Sequence, residues 1–445
     1  MCRDQSLVGA MCSVVIYVRE AFSSVSDQFL KEMRERGLIA QIVHEDEFTA
    51  HLSSGRRAAY IGFDPTADSL HVGSLMQIMS LVRWQRAGHR VIAVVGGGTG
   101  LVGDPSGKTE MRQLLTPEDI RRNMAGIKRQ LEVFIDFSSP DKAIMVDNAD
   151  WLTKLEYLPF LRDIGRHFSV NRMLSAECFK QRYEKGLSFI EFNYMLLQSY
   201  DFLHLFRTEK CTVQLGGDDQ WSNILSGMEL VRRLEQAQAF CATTPLVTTS
   251  DGRKMGKTEK GAVWLDAAKT SPFEYYQYWR NIEDASVEQC LRFFTHLPME
   301  RVRELSALKG SQVNEAKKVL AWECTAMLHG SAAADAASAA AGKLFGGPAP
   351  GGGGSAGSGT GGSEPTVHVP LASLAGGVPI ADFLVTAGAA ESRSEARRLI
   401  QQGGLALNGK KVDDVRYKVT ESDFPGPDGC LVRKGKKYWY RVRIS

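Results

Sequence analysis

YIGFDPTADSLHVGS, Tyr60–Ser74, is the stretch from which the fold can be read. Short apolar residues (Ala58, Ala59, Tyr60, Ile61) lead in as a strand, and Gly62, Pro65 and small polar residues then turn the chain. His71-Val72-Gly73-Ser74 opens a helix in which Leu75, Ile78, Met79 and Val82 fall at i, i+3, i+4 and i+7, with Gly88 as the stop. Strand, polar turn and glycine-bearing helix start together make a phosphate seat. The N–H groups at a helix start point outward, and the helix dipole favours negative charge there.

The same pattern recurs downstream. Val91–Val95 is a continuous apolar run suited to a buried parallel strand, and it feeds the glycine-rich turn from Gly96 to Lys108. Gly98, Gly100 and Gly103 spell GxGxxG there, with Glu118 at the distance of a ribose acid, so a nicotinamide or flavin enzyme is one reading. Asp104-Pro105 interrupts the place where that helix would begin, which weighs against it. Gly107-Lys108-Thr109 ends like a P-loop, but Val102 stands where a P-loop needs Gly. Thr212–Leu215 is a third strand and runs into Gly216-Gly217-Asp218-Asp219-Gln220. Ligands of open parallel sheets bind at the carboxyl ends of the strands, so three such turns predict an α/β sheet with one ligand crevice.

Between these strands, residues 27–42 read as mainly helix, with Gln28, Lys31, Glu32 and Glu35 on its solvated face. Residues 117–137 form a helix started by Pro117, Ala143–Val146 a short strand, and residues 151–164 a further helix. Ser188–Phe206 reads as one long amphipathic helix whose Tyr194, Gln198 and Asp201 share a face, an arrangement suited to a small polar ligand. TTSDGRKMGKT, 248–258, is a turn and a basic loop whose Lys254 and Lys257 flank a glycine and can clamp a triphosphate.

The chain has 445 residues, enough for two or three domains. Hydrophobic residues make up 43% and charged residues 24%, and no apolar run approaches a membrane span, so a soluble globular protein is expected. The eight Cys are scattered with no CxxC, which supports neither a zinc site nor a disulfide framework and points to a reducing compartment. The first 25 residues suit an overlong start or a disordered leader better than a transit peptide, because Asp4 and Glu20 interrupt the basic pattern. Residues 272–330 are mostly helical by period, and the Ala-rich 331–341 continues in kind. Gly346–Gly362 cannot bury a core and reads as a flexible linker. Residues 366–445 hold 13 Lys/Arg against 8 Asp/Glu, a net +5 in a chain of +3, so the residues before them net −2. A basic helix with Arg393, Arg397 and Arg398, beside Lys410 and Lys411 after the Asn408-Gly409 turn, suits a nucleic-acid backbone.

The combination carries a resemblance. His71-Val72-Gly73-Ser74 resembles the HIGH motif of the class I aminoacyl-tRNA synthetases, and Lys254-Met255-Gly256-Lys257-Thr258 resembles their KMSKS loop. Tyr60–Ser74, Gly98–Arg112, Tyr194–Asp201 and Gln214–Asn223 resemble the bacterial-type tyrosyl-tRNA synthetases, and the terminal module resembles an S4 RNA-binding domain. The resemblance implies a leader (1–26), a Rossmann-like parallel-sheet catalytic domain (27–245), a KMSKS-like loop with a helical anticodon-side domain (246–341), a linker (342–366) and an α+β S4-like domain (367–445).

It also implies roles. Tyr60 and Asp201 would read the tyrosine hydroxyl; Asp104, Tyr194 and Gln198 the ammonium; Gln220 the carboxylate side, with Asp64 near the reacting groups. ATP would meet Gly62, Thr66, His71, Gly73, Gly217 and Asp219, and its pyrophosphate Lys108, Arg112, Lys254, Lys257 and Thr258. Thr66, His71, Lys254 and Lys257 would be catalytic, no protein metal ligand is expected, and Mg²⁺ would come with ATP. The implied activity is tyrosine–tRNA ligation through tyrosyl-adenylate to the terminal adenosine of tRNA(Tyr), by a cytoplasmic homodimer that needs no membrane. Rejection of phenylalanine without editing is a known trait of this family and serves as a standard example of hydroxyl-based specificity. A tryptophan-specific relative and a catalytically silent RNA-binding relative are the competing readings; the Tyr60/Asp201 pair and the Lys254/Lys257 loop argue against them in turn. One departure stands out: the family's second histidine is replaced by Ser74, which would contact ribose through a water or only cap the helix.

Overall fold

The computed structural model describes residues 28–106, 116–176, 179, 183–248, 255–258, 261–345, 366–369, 377–390, 392–426, 429–435 and 438–444. The leader, the linker 346–362, Lys108, Arg112 and Lys254 lie outside them. Two compact units divide the chain, residues 1–334 and 335–445.

The first unit is built on a six-stranded sheet. Its strands are β1 (Gln41–Ile42), β2 (Ala58–Phe63), β3 (Arg90–Val95), β4 (Ala143–Asp147), β5 (Cys211–Gly217) and β6 (Phe240–Thr244), in the order β1-β6-β5-β2-β3-β4. Every pairing is parallel except β1 against β6. Chain order reverses between β2 and β5, so the crevice expected of such sheets opens above their carboxyl ends. β3 is buried along Val91–Val95, as a strand covered on both faces must be. Tyr60, Ile92 and Val94 pack with Phe202, Leu203 and Ile224 from the helices Phe189–Glu209 and Trp221–Glu235. The helix Val72–Arg86 buries Leu75, Ile78, Met79 and Val82, the stripe expected of it, and ends two residues before Gly88.

Three sequence expectations need correction. Residues 27–42 are not mainly helix: the helix is Gln28–Glu35, and Gly37 at φ 69° ends it before β1. Glu32 is not simply solvated, because it accepts from Arg36 Nε at 2.8 Å and Arg83 Nε at 3.4 Å. Residues 151–164 form two helices, Ala149–Leu152 and Tyr157–Asp163. Pro159 explains the break: it lies in the first turn of the second helix, where a missing N–H costs nothing.

Helices Pro272–Arg280, Val287–Phe294, Met299–Ser306 and Val313–His329 follow. Arg83 ties the helix Val72–Arg86 to them. Its Nη2 donates to the carbonyls of Phe293 (2.9 Å) and Thr295 (3.3 Å), while Arg36 Nη2 reaches Leu297 O at 2.8 Å. Burial pulls Arg83 down to about 10, so it remains charged at neutral pH.

In the second unit, β9 (Thr366–Val369), β11 (Leu405–Leu407), β12 (Lys410–Lys411), β14 (Cys430–Lys434) and β15 (Tyr438–Ile444) form a sheet in the order β12-β11-β14-β15-β9, and β10 (Val378–Pro379) pairs antiparallel with β13 (Lys418–Val419). Asn408 (φ 46°) and Gly409 (φ 81°) make the β11–β12 turn. The helices Ile380–Thr386 and Arg393–Gln401 share the core of this unit through Phe383, Leu384, Ala396 and Ile400, together with Leu405, Val432 and Val442. No described helix is long and apolar enough to cross a membrane.

Replacing Arg83 by Ala leaves the Phe293 and Thr295 carbonyls and the Glu32 carboxylate without its buried guanidinium. The expected cost is about 3 kcal/mol. Urea unfolding followed by tryptophan fluorescence checks it; an unchanged midpoint contradicts the tie.

Candidate active site

The chain after β3 and after β4 is tied to one buried carboxylate. Asp201 lies on the helix Phe189–Glu209 with 3% of its surface exposed. Trp151 Nε1 donates to its Oδ1 at 2.7 Å, and Asn148 Nδ2 donates to its Oδ2 at 2.9 Å. Asn148 follows β4 and also holds the turn after β3: its Oδ1 accepts from Gly98 N (2.7 Å) and Thr99 N (3.3 Å). No nicotinamide-type helix starts at Gly98–Gly103; only a short 3-10 turn, Thr99–Leu101, forms. Tyr60, on β2, packs edge-on against Phe202 at 5.5 Å between ring centroids. Its hydroxyl is buried without a protein hydrogen-bond partner among the described residues, and so is Gln198 Oε1. Burial, then the Asp201 charge, pushes the Tyr60 hydroxyl well above its ordinary pKa. Burial pushes Asp201 up to about 7, against its two hydrogen bonds.

A second buried acid follows the turn after β3. Asp104 is buried, accepts from Ser106 N at 2.8 Å and from Gln220 Nε2 at 2.8 Å, and feels the charge of Asp64. Burial first, then Asp64, raises it to about 6. Asn223 Nδ2 donates to Ser106 Oγ and to Gln220 Oε1, both at 3.1 Å, so Gln220 is held at both ends of its amide. Tyr194 is buried on the Asp201 helix.

The helix start after β2 carries the third part. His71 is its cap: Nδ1 accepts from Gly73 N at 2.9 Å. Ser74 is therefore not the cap, but the third helical residue, with its N–H bonded to His71 O at 2.8 Å. Val72 N donates to Val263 O and Leu265 N to Leu70 O, both at 2.9 Å, so His71 pairs with Trp264 as an antiparallel bridge. The segment after the KMGKT loop is thereby laid along the helix start. Gly62 and Thr66 are exposed, and a methyl on Gly62 would meet nothing within 4 Å. A methyl on Gly217 would come within 2.8 Å of Asp219 Oδ1 and 3.1 Å of Gln77 Nε2. Lys257 and Thr258 form β7, hairpinned to β8 (Gly261–Ala262).

Asn148 and Trp151 were not legible as site residues. Each reaches Asp201 across 50 residues or more of sequence, which no local period reports. The juxtaposition of a strand end and a buried-type polar residue at Asn148 was the available signal.

A Rossmann-type parallel sheet with a HIGH-like helix start and a KMSKS-like loop at its switch point defines a class of enzyme. Residues 53–346 match the family model described as tRNA synthetases class I (W and Y), and the chain belongs to that family. Residues 364–442 match the tyrosine–tRNA ligase SYY-like C-terminal domain. A tyrosine–tRNA ligase of Clostridium botulinum (strain Hall) is 55% identical over 413 residues, 93% of this chain and 98% of that relative. One of Clostridium beijerinckii is 53% identical over 417 residues, 94% and 99% respectively. Among solved structures, a C-terminally truncated mitochondrial tyrosyl-tRNA synthetase of Aspergillus nidulans aligns with a TM-score of 0.66 at 30% identity, covering 74% of this chain and 99% of that one. Within the class, then, this chain belongs to the tyrosine–tRNA ligases.

Asp201 and Asp104 accept hydrogen bonds more strongly as carboxylates than as neutral acids, which makes L-tyrosine, with one phenol and one ammonium, a probe of their charge. Both lose it as pH falls, Asp201 through about 7 and Asp104 through about 6. The tyrosine Kd therefore rises below pH 7, and in Asp201→Asn only the lower step survives. Titration calorimetry between pH 5.5 and 8.5 checks this; a flat profile contradicts it.

Proposed function

We propose that this chain activates L-tyrosine with ATP, releasing pyrophosphate, and transfers the tyrosyl group from the adenylate to the terminal adenosine of tRNA(Tyr). The observation that carries the amino-acid choice is the buried pair of Tyr60, whose hydroxyl lacks a protein partner, and Asp201 on its Asn148 and Trp151 donors. A phenol hydroxyl offers one donor and accepts one, so it completes both halves. An indole N–H could satisfy Asp201 alone and would leave Tyr60 unpaired, which disfavours the tryptophan reading.

The substrate ammonium is read by Asp104, Tyr194 and Gln198, whose buried Oε1 is a suitable acceptor. Asp64 stands near the reacting groups. Gln220 faces Asp104 in this structure, so its service to the substrate carboxylate requires its amide to turn. The carboxylate attacks the α-phosphate, and the P–O bond to pyrophosphate breaks. Thr66, His71, Lys254 and Lys257 stabilise the charge on the five-coordinate phosphorus, by positioning rather than by covalent chemistry. Gly62, Gly73, Gly217 and Asp219 shape the nucleotide seat, and Lys108, Arg112 and Thr258 meet the pyrophosphate. The cap bond at Nδ1 and the edge-on Trp264 ring, which hold the His71 ring, support this role. Mg²⁺ fits as a companion of the ATP phosphates that offsets their charge.

The domain limits 27–245, 246–341, 342–366 and 367–445 go with this reading. Arg393, Arg397, Arg398, Lys410 and Lys411 are exposed on the second unit and suit the tRNA backbone. Val170 (57% exposed), Tyr183 (62%) and Phe189 (69%) line one apolar groove, with Tyr157 and Leu158 also exposed; such a surface favours a homodimer. The cytoplasm is the compartment proposed.

His71→Ala should lower kcat for tyrosine-dependent ATP–pyrophosphate exchange by about 10²-fold while leaving the tyrosine Kd within about twofold; equal effects on both remove its assigned role. Truncation after Phe345 should leave exchange intact and abolish charging of tRNA(Tyr). Unchanged charging would sink the role given to the terminal module.

A further inference from the structure

One hydroxyl of the helical region reaches the KMGKT loop. Gly256 stands at φ 94°, a conformation that disfavours any side chain, and its N–H donates to the Tyr278 hydroxyl oxygen at 3.2 Å. Tyr278 lies on the helix Pro272–Arg280, its ring edge-on to Trp279 at 5.2 Å. Burial pushes its hydroxyl well above the ordinary tyrosine range, so it stays neutral and can accept from the Gly256 N–H throughout the working pH range. Two more backbone bonds hold the same turn: Val263 N to Gly256 O at 2.9 Å and Met255 N to Val247 O at 2.8 Å.

Held this way, the loop rests directly on the helix start. A methyl built on Gly256 would come within 2.6 Å of Gly73 N and 3.3 Å of the Val72 carbonyl carbon. A methyl built on Gly73 would meet Met255 O at 3.3 Å. The two backbones touch, and a planar base lying on Gly73 could not share that space. The loop and the nucleotide compete for it.

We propose that Tyr278 is a positioning residue that latches the KMGKT loop onto Gly73, so that ATP gains its seat only by lifting the loop. This rests on the reading of Gly73 as part of the ATP seat. A state blocked by its own loop lowers apparent affinity by the fraction blocked, and removing one neutral hydrogen bond restores up to about fivefold. Tyr278→Phe therefore lowers the KM for ATP in pyrophosphate exchange by about three- to fivefold. The tyrosine Kd stays put, because the residues proposed for tyrosine (Tyr60, Asp104, Tyr194, Gln198, Asp201 and Gln220) lie outside both the loop and the helix Pro272–Arg280.

The experiment uses the full chain. Hydrogen–deuterium exchange of the peptide covering 255–263, without ligand, is compared in wild type, Tyr278→Phe and Gly256→Ala. Gly256→Ala drives a methyl into Gly73 N and so frees the loop by a second route. Faster exchange in both variants, with the lower KM for ATP in Tyr278→Phe, supports the latch. Unchanged exchange of that peptide in Tyr278→Phe, or an unchanged or raised KM for ATP, overturns it. Absence of tyrosine-dependent pyrophosphate exchange in wild type would instead defeat the proposed function, and the deuterium readout would still decide whether Tyr278 latches the loop.

Discussion

The structure of the site depends on a carboxylate held where carboxylates are expensive. Asp201 is buried and is served by two neutral donors, Asn148 and Trp151. Burying a charged group costs several kcal/mol unless it is paired. The sign follows from the raised pKa. Between about 4 and about 7 the folded chain holds a proton that the unfolded chain releases, so Asp201 takes stability away as pH rises through that window. On the proposed reading, a phenol O–H arriving at the carboxylate supplies a further donor. The fold thus carries a local deficit that its ligand relieves, which is the usual physical mark of a functional site.

The same interaction joins elements. Asn148 binds the glycine turn after β3 with one end of its amide and Asp201 with the other. Trp151 stacks on His204 at 4.3 Å, one turn further along the Asp201 helix. Asp201 is therefore tied to the ends of both β3 and β4. The helix start after β2 is assembled differently. There, the chain after the KMGKT loop pairs by backbone with Leu70–Val72, and Arg83 pins the far end of the same helix to the carbonyls of Phe293 and Thr295. His71 thus stands on a helix anchored at both ends.

Much of this was legible in the residues. The apolar run Val91–Val95, the helix stripe from Leu75 to Val82 and the three glycine-bearing strand ends all reflect burial rules that act over a few residues, and the sheet formed as those rules require. The shared face of Tyr194, Gln198 and Asp201 also follows from helix geometry alone. Two misreadings had local signals that periodicity overrode: Gly37 ends the first helix, and Pro159 belongs to a first turn. Asn148, Trp151, Trp264 and Tyr278 are another matter. Each acts through a contact far away in sequence, and a polar residue after a strand looks the same whether or not a buried acid waits across the crevice.

The central claim is that Tyr60 and Asp201 read a phenol hydroxyl. The most direct measurement is kcat/KM for tyrosine against phenylalanine in ATP–pyrophosphate exchange, in wild type and Tyr60→Phe. The account predicts a strong preference for tyrosine in wild type and about a tenfold loss of that preference in Tyr60→Phe, because one hydrogen bond to the hydroxyl is removed while phenylalanine is handled as before. A wild type that activates phenylalanine as well as tyrosine, or a preference unmoved by Tyr60→Phe, would contradict it.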